Sequence, residues 1–217
     1  MSARFVSSAL ATSVLFALVA VAGPALACKG TETLLRDDFT DEDPAWNIQD
    51  TSAQIGGGVL KVKSEAGHIY NLMYQGQNFP GADACLDIIA PSGKPSVDIV
   101  GGLGLWTGKA WNFVYIATDG TAGVSGLQDG NWTSPVPNRK FDGIKTTPNA
   151  ANQLRVTWKA PPEANSKEAP DPTVTIFIND KQFIKYKAIP NSGRSISIYT
   201  ASGGGVYQYK NLVVTSN

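Results

Sequence analysis

Val174-Thr175-Ile176-Phe177-Ile178-Asn179-Asp180 places Val174, Ile176 and Ile178 at every second position and follows them with two residues that tolerate left-handed backbone. Period two puts those three side chains on one face of a β-strand. Asn179 and Asp180, with Phe183 beyond them, then predict a tight hairpin. Upstream, Leu154, Val156 and Trp158 alternate with Arg155 and Thr157, and Leu60 and Val62 alternate with Lys61 and Lys63. Downstream come Ile196 and Ile198, then Tyr207, Tyr209, Leu212 and Val214. The parity change between Tyr209 and Leu212 predicts a bulge near Lys210 and Asn211. Such half-buried strands, punctuated by turn residues at roughly 8- to 12-residue spacing and without helical periodicity, predict an all-β, two-sheet antiparallel β-sandwich. Prolines 161, 162, 170 and 172 mark 160–172 as a surface loop between two strands.

The chain has 217 residues. Residues 1–27 read as a signal peptide: Arg4 precedes an apolar run over 9–21, and Ala25-Leu26-Ala27 supplies the small residues of a cleavage site. The run is short for a membrane span. Residues 28–217 then form a single exported domain, periplasmic or extracellular, with no later apolar run long enough to cross a membrane. Lys and Arg number 18 against 18 Asp and Glu, so no basic field invites nucleic acid. Cys28 and Cys85 are the only two cysteines. In an oxidising compartment they are expected to pair, closing a loop of about 60 residues worth about 4 kcal/mol of chain entropy. The alternative is lipoprotein anchoring at Cys28, which would leave Cys85 unpaired. Oligomeric state is not legible.

Several segments in order resemble the concanavalin A-like lectin and glucanase superfamily, including its laminin G-like and keto-disaccharide hydrolase-like secreted domains. They are Arg36-Asp37-Asp38-Phe39 with Trp46, Gly58-Val59-Leu60-Lys61, Gly101-Gly102-Leu103-Gly104-Leu105-Trp106, and Trp111-Asn112-Phe113-Val114-Tyr115. Gly130-Asn131-Trp132, Asn152-Gln153-Leu154-Arg155-Val156, Phe177-Ile178-Asn179-Asp180 and Asn211-Leu212-Val213-Val214 continue the series. The resemblance implies a jelly roll whose concave face often binds glycans. It does not imply catalysis, because the superfamily holds lectins, hydrolases and interaction modules.

Glycoside hydrolysis needs two facing carboxyl groups. The Glu-x-Asp-x-x-Glu motif of the superfamily's retaining glucanases is missing, and the five glutamates, Glu32, Glu42, Glu65, Glu163 and Glu168, fall near the N-terminus or in expected loops. Asp87, flanked by Leu86 and Ile88, is the weak catalytic candidate. No Gly-x-Ser-x-Gly elbow exists, and His68, the only histidine, sits in the strand-like His68-Ile69-Tyr70. The acidic run around Asp38 and Asp41 offers oxygen ligands for one structural calcium ion; its blander reading is a solvated turn. Asn131-Trp132-Thr133 matches a glycosylation sequon and marks an exposed loop.

Residues 102–117 are the most informative for function. If Leu103, Leu105, Val114 and Ile116 face the core, then Gly102, Gly104, Trp106, Trp111, Phe113 and Tyr115 share the opposite face. Glycines beside aromatic rings predict a shallow trough that offers flat faces to sugar C–H groups. Trp106, Trp111, Phe113 and Tyr115, with Trp132 and Tyr70, are the candidate ligand-binding residues, and a glycan is the expected partner. The leading expectation is a non-catalytic, lectin-like carbohydrate-binding domain. The alternatives are a carbohydrate-active hydrolase or lyase of the same fold, and an envelope protein-interaction domain.

Overall fold

The structure, a computed structural model, describes residues 28–160, 162, 173–188 and 194–217. The expected leader, Glu163, Glu168 and all of the proline-rich loop except Ala160 and Pro162 lie outside the described residues. Fourteen strands occur among them: β1 (Thr33–Asp37), β2 (Ala53–Gly56), β3 (Val59–Lys63), β4 (Tyr70–Met73), β5 (Ala82–Ile89), β6 (Val100–Trp106), β7 (Ala110–Ala117), β8 (Thr121–Gln128), β9 (Asn131–Lys140), β10 (Ala151–Trp158), β11 (Thr173–Ile178), β12 (Lys181–Lys187), β13 (Ser195–Ala201) and β14 (Val206–Thr215). They form two antiparallel sheets. The eight-stranded sheet runs β12-β11-β10-β5-β14-β3-β2, with β1 also on β14; the six-stranded sheet runs β4-β13-β6-β7-β8-β9.

The alternating residues meet as the sequence requires. Leu154, Val156, Val174, Ile176 and Ile178 of the eight-stranded sheet are fully buried against Leu103, Leu105, Ile196 and Ile198 of the six-stranded one. Each such side chain stabilises the fold by about 1.5–3 kcal/mol. Asn179 and Asp180 form the β11–β12 turn with φ of 49° and 64°. The expected bulge lies between Lys210 and Val213, with Asn211 at φ 52°. It restores the core parity of Leu212 and Val214 and divides β14, whose first half pairs with β3 and second half with β1.

Tyr207 and Tyr209 cross the core and hold the six-stranded sheet by their hydroxyls. Tyr207 donates to the Ile99 carbonyl at 3.0 Å and Tyr209 to the Tyr199 carbonyl at 3.0 Å. Gly101 permits this approach, because a Cβ there would strike both tyrosines.

Cys28 and Cys85 form the disulfide, with Cα atoms 5.7 Å apart. It ties residues 28–30 across the outer surface of the eight-stranded sheet, where the Lys29 amide donates to Asp83 and the Gly30 amide to Thr215. Beneath this strap Asp83 accepts from Arg155 Nε at 3.0 Å, and the Arg155 guanidinium stacks 4.0 Å over the Phe177 ring. No helix among the described residues is long and apolar enough to cross a membrane.

Candidate functional site

Register sets the outer face of the six-stranded sheet. Antiparallel pairing aligns Trp106, Trp111, Leu127 and Trp132 in one cross-strand row. The next row is Ser197, Gly104, Phe113 and Ser125, and the third is Tyr199, Gly102, Tyr115 and Gly123. Large rings thus alternate with Gly or Ser across the second and third rows, and the rings lean into the spaces. Trp106 and Trp111 have centroids 5.1 Å apart, Trp111 stacks on Phe113 at 5.4 Å, and Phe113 stacks on Tyr199 at 4.4 Å. Trp132 joins Phe113 at 5.7 Å, and Tyr115 lies 6.2 Å from Tyr199. Offset and tilted rings at such separations attract one another beyond their area burial.

The six rings form a ladder, and it changes one expectation. The trough over Gly104 is filled by the protein itself, since a Cβ there would meet Ser197 Oγ and the Phe113 ring. Phe113, Tyr115 and Tyr199 are buried by their neighbours, whereas Trp132 is half exposed at 50%. Burial, and then Tyr115, push the Tyr199 phenol up to about 12, so it is neutral at physiological pH.

Open space lies at the tyrosine end of the ladder. A groove of about 440 Å³ is bordered by Tyr115, Tyr199, Ser125 and Asn138 from the sheet, and by the 66–69 and 97–99 loops. Its size suits a small-molecule site. The Tyr115 hydroxyl donates to Asn138 Oδ1 at 2.6 Å, which fixes the phenol at the groove wall. His68 and Asp98 bring polar groups to the rim, and the exposed Ile69 and Val97 supply apolar edges. Neutral rings, apolar edges and a few hydrogen-bonding groups together fit a ligand with both C–H faces and hydroxyls.

The structure gathers Trp106, Trp111, Phe113, Tyr115 and Trp132 on this face. It does not bring Tyr70 there. Tyr70 pairs with Thr200, and the neighbouring Leu72 points inward, so Tyr70 packs against the main core from the opposite side. Trp132 belongs to edge strand β9 rather than a loop, and His68 belongs to a turn before β4 rather than a strand. Asp87 is on the outer side of the eight-stranded sheet, where Gln153 and Asn211 donate to it at 3.4 and 2.8 Å. Its flanking core residues Leu86 and Ile88 force it away from the groove.

The acidic turn is organised by its own hydrogen bonds. Asp38 accepts from the Thr40 amide, Asp37 from Phe39 and Trp46, and Asp43 from Ala45 and Tyr74. The Thr40 amide and hydroxyl hold the Asp38 carboxyl below the ordinary range. Asp41 is exposed. Among the described residues, the one group of three potential ligand atoms close together is Cys28, Asp83 and Cys85, whose sulfurs form the disulfide. Asp38 and Asp41 are not gathered into such a group.

Tyr199, Asn138, Ser125 and Asp98 were not singled out from the sequence. Tyr199 was within reach of the same alternation, because Ile196 and Ile198 facing inward send Ser197 and Tyr199 outward. Asn138 follows register shifts between β8 and β9, and Asp98 lies in a loop; neither carries a periodic signal.

No family profile of known proteins matches the chain, and no curated protein does. Solved structures do match. Carbohydrate binding module CBM66 from Bacillus subtilis shares 12% identity and a TM-score of 0.54, over 72% of this chain and 86% of that one. A GlcNAcα1-4Gal releasing endo-β-galactosidase from Clostridium perfringens shares 10% identity and a TM-score of 0.56, over 88% of this chain and 64% of that one. The Bacillus licheniformis β-glucanase shares 10% identity and a TM-score of 0.54, over 87% of this chain and all of that one, 100%. At such identities the likeness is one of architecture: the chain has the two-sheet fold of the concanavalin A-like jelly rolls.

Proposed function

We propose that the protein is an exported, non-catalytic carbohydrate-binding domain whose sugar site is the outer face of the six-stranded sheet. The observation that carries this reading is the ladder from Trp106 to Tyr199 ending in a groove with the Tyr115–Asn138 pair at its wall. Sugar rings stack on aromatic faces by their C–H sides and satisfy their hydroxyls with amides, hydroxyls and carboxylates. Neighbours named as a binding module, an endo-β-galactosidase and a β-glucanase support carbohydrate as the ligand class without choosing between binding and cleavage. The choice of binding rests on the lining: Asp98 is the one carboxylate among the described groove residues, whereas glycoside hydrolysis by the usual route uses two. Export is supported by the disulfide, which suits an oxidising compartment.

The test is a glycan array probed with the parent and with Trp132→Ala. The reading expects a defined set of oligosaccharides to bind the parent, with the signal of the longer chains reduced at least tenfold in the variant. Product release from a bound oligosaccharide would replace it with the hydrolase or lyase reading. An array without signal would favour a protein ligand in the cell envelope.

A further inference from the structure

A second cavity, of about 370 Å³, opens between the two sheets at the end where β7 begins and β12 ends. Its position follows from parity. Asn112 has the same orientation on β7 as core residues Val114 and Ile116, and Gly126 and Thr133 lie beside it in register on β8 and β9. Ala110, Trp111, Leu127, Pro135 and Ala188 give the cavity an apolar wall.

Asn112 is the anomaly. It is only 3% exposed, its Nδ2 has no hydrogen-bond partner, and it lies on the sandwich-interior side of the sheet where a Leu or Val would be stabilising. An enclosed amide without a partner is destabilising, and native structures relieve that cost with water or a ligand. Asn112 is among the residues that line the cavity. At the mouth stands Lys187, exposed and in no ion pair among the described residues. Gln128 and Thr133 add further donors, and no carboxylate is among the described residues that line the space. The described lining therefore combines a positive field with several N–H and O–H donors.

We propose that this interior cavity binds a small monocarboxylate, with the Asn112 amide and the Lys187 ammonium as its two principal donors. The inference does not rest on the aromatic face: the cavity shares Trp111 and Leu127 with the first row of the ladder, but its two principal donors, Asn112 and Lys187, lie outside the ladder, and its ligand is charged. A charge-assisted hydrogen bond from lysine anchors the anion, and the enclosed amide gains the partner it lacks.

The experiment is a titration of the whole protein with sodium glucuronate, read by the side-chain amide resonances of Asn112 and by calorimetry. Acetate and glucose serve as comparators. The proposal expects saturable glucuronate shifts at Asn112, binding weakened at least tenfold in Asn112→Leu and in the surface variant Lys187→Met, and weaker binding at higher salt. Acetate binding as well as glucuronate would assign recognition to the carboxylate alone; acetate binding more weakly would add contacts to the sugar ring. Either result supports the proposal. Trp132→Ala should leave glucuronate binding unchanged even where it abolishes binding on the outer face. Glucose shifting Asn112 as strongly as glucuronate, no saturable shift, or parental affinity in Lys187→Met would overturn it.

Discussion

The two sheets carry the same kind of inner face and opposite kinds of outer face. On the eight-stranded sheet, the outer surface at β5 and β10 is closed by covalent and ionic means: the Cys28–Cys85 bridge, the strap of residues 28–30, and Arg155 held between Asp83 and Phe177. On the six-stranded sheet, the outer surface is closed, among the described residues, by its own rings, and closure stops at Tyr115 and Tyr199, where the groove begins. Both β5 and β6 have largely buried side chains on both faces, so burial alone does not separate the two surfaces. What separates them is who supplies the cover. A surface covered by a remote chain segment is committed to stability, whereas a surface covered by its own side chains keeps free edges for a ligand.

That contrast can be broken by substitution. The largest effect is expected on the closed surface: Asp83→Ala leaves Arg155 buried without its carboxylate and should cost about 3–5 kcal/mol in denaturant unfolding. A loss below about 1 kcal/mol would mean that Phe177 and solvent suffice for the guanidinium. An intermediate effect belongs to the ladder. Gly104→Val introduces atoms where Ser197 and Phe113 already lie, and about 1–3 kcal/mol of overpacking should appear as a lowered melting temperature. Unchanged melting would show that the trough is open after all. The smallest stability effect is expected at Trp132→Ala, within about 0.5 kcal/mol because half of the side chain is in solvent, even though glycan binding falls. Strong destabilisation there would make Trp132 part of the ladder's structure rather than a contact for the ligand.

Much of this arrangement was legible in the sequence because it depends on parity. The alternation of Leu103 and Leu105 against Val114 and Ile116 places Trp106, Trp111, Phe113 and Tyr115 on one face without any tertiary information, Asn179-Asp180 announce a turn by their backbone tolerance, and the parity change between Tyr209 and Leu212 announces a bulge. Parity also explains what went astray. Tyr70 is an aromatic candidate from the sequence, but Leu72, two residues on, faces the core and takes Tyr70 to the same side. The groove itself was not legible, since Asn138, Asp98 and His68 come from three separate segments whose meeting depends on sheet order. The filling of the space over Gly104 was hidden for another reason: glycine signals room for an approach, and sequence does not say whether a ligand or a neighbouring ring makes it.

The account stands most directly on where a bound oligosaccharide touches the protein. Amide shift mapping, with the highest-scoring array glycan added to the labelled protein, measures this in one titration. Saturable shifts are expected at Tyr115, Ser125, Asn138 and Tyr199 and along the 66–69 and 97–99 loops, with the indole signals of Trp106, Trp111 and Trp132 following for longer chains. Asp83, Asp87, Arg155 and Lys210 should stay still. Shifts centred on those four residues, with the ladder and groove unmoved, would contradict the assignment of the sugar site to the six-stranded sheet.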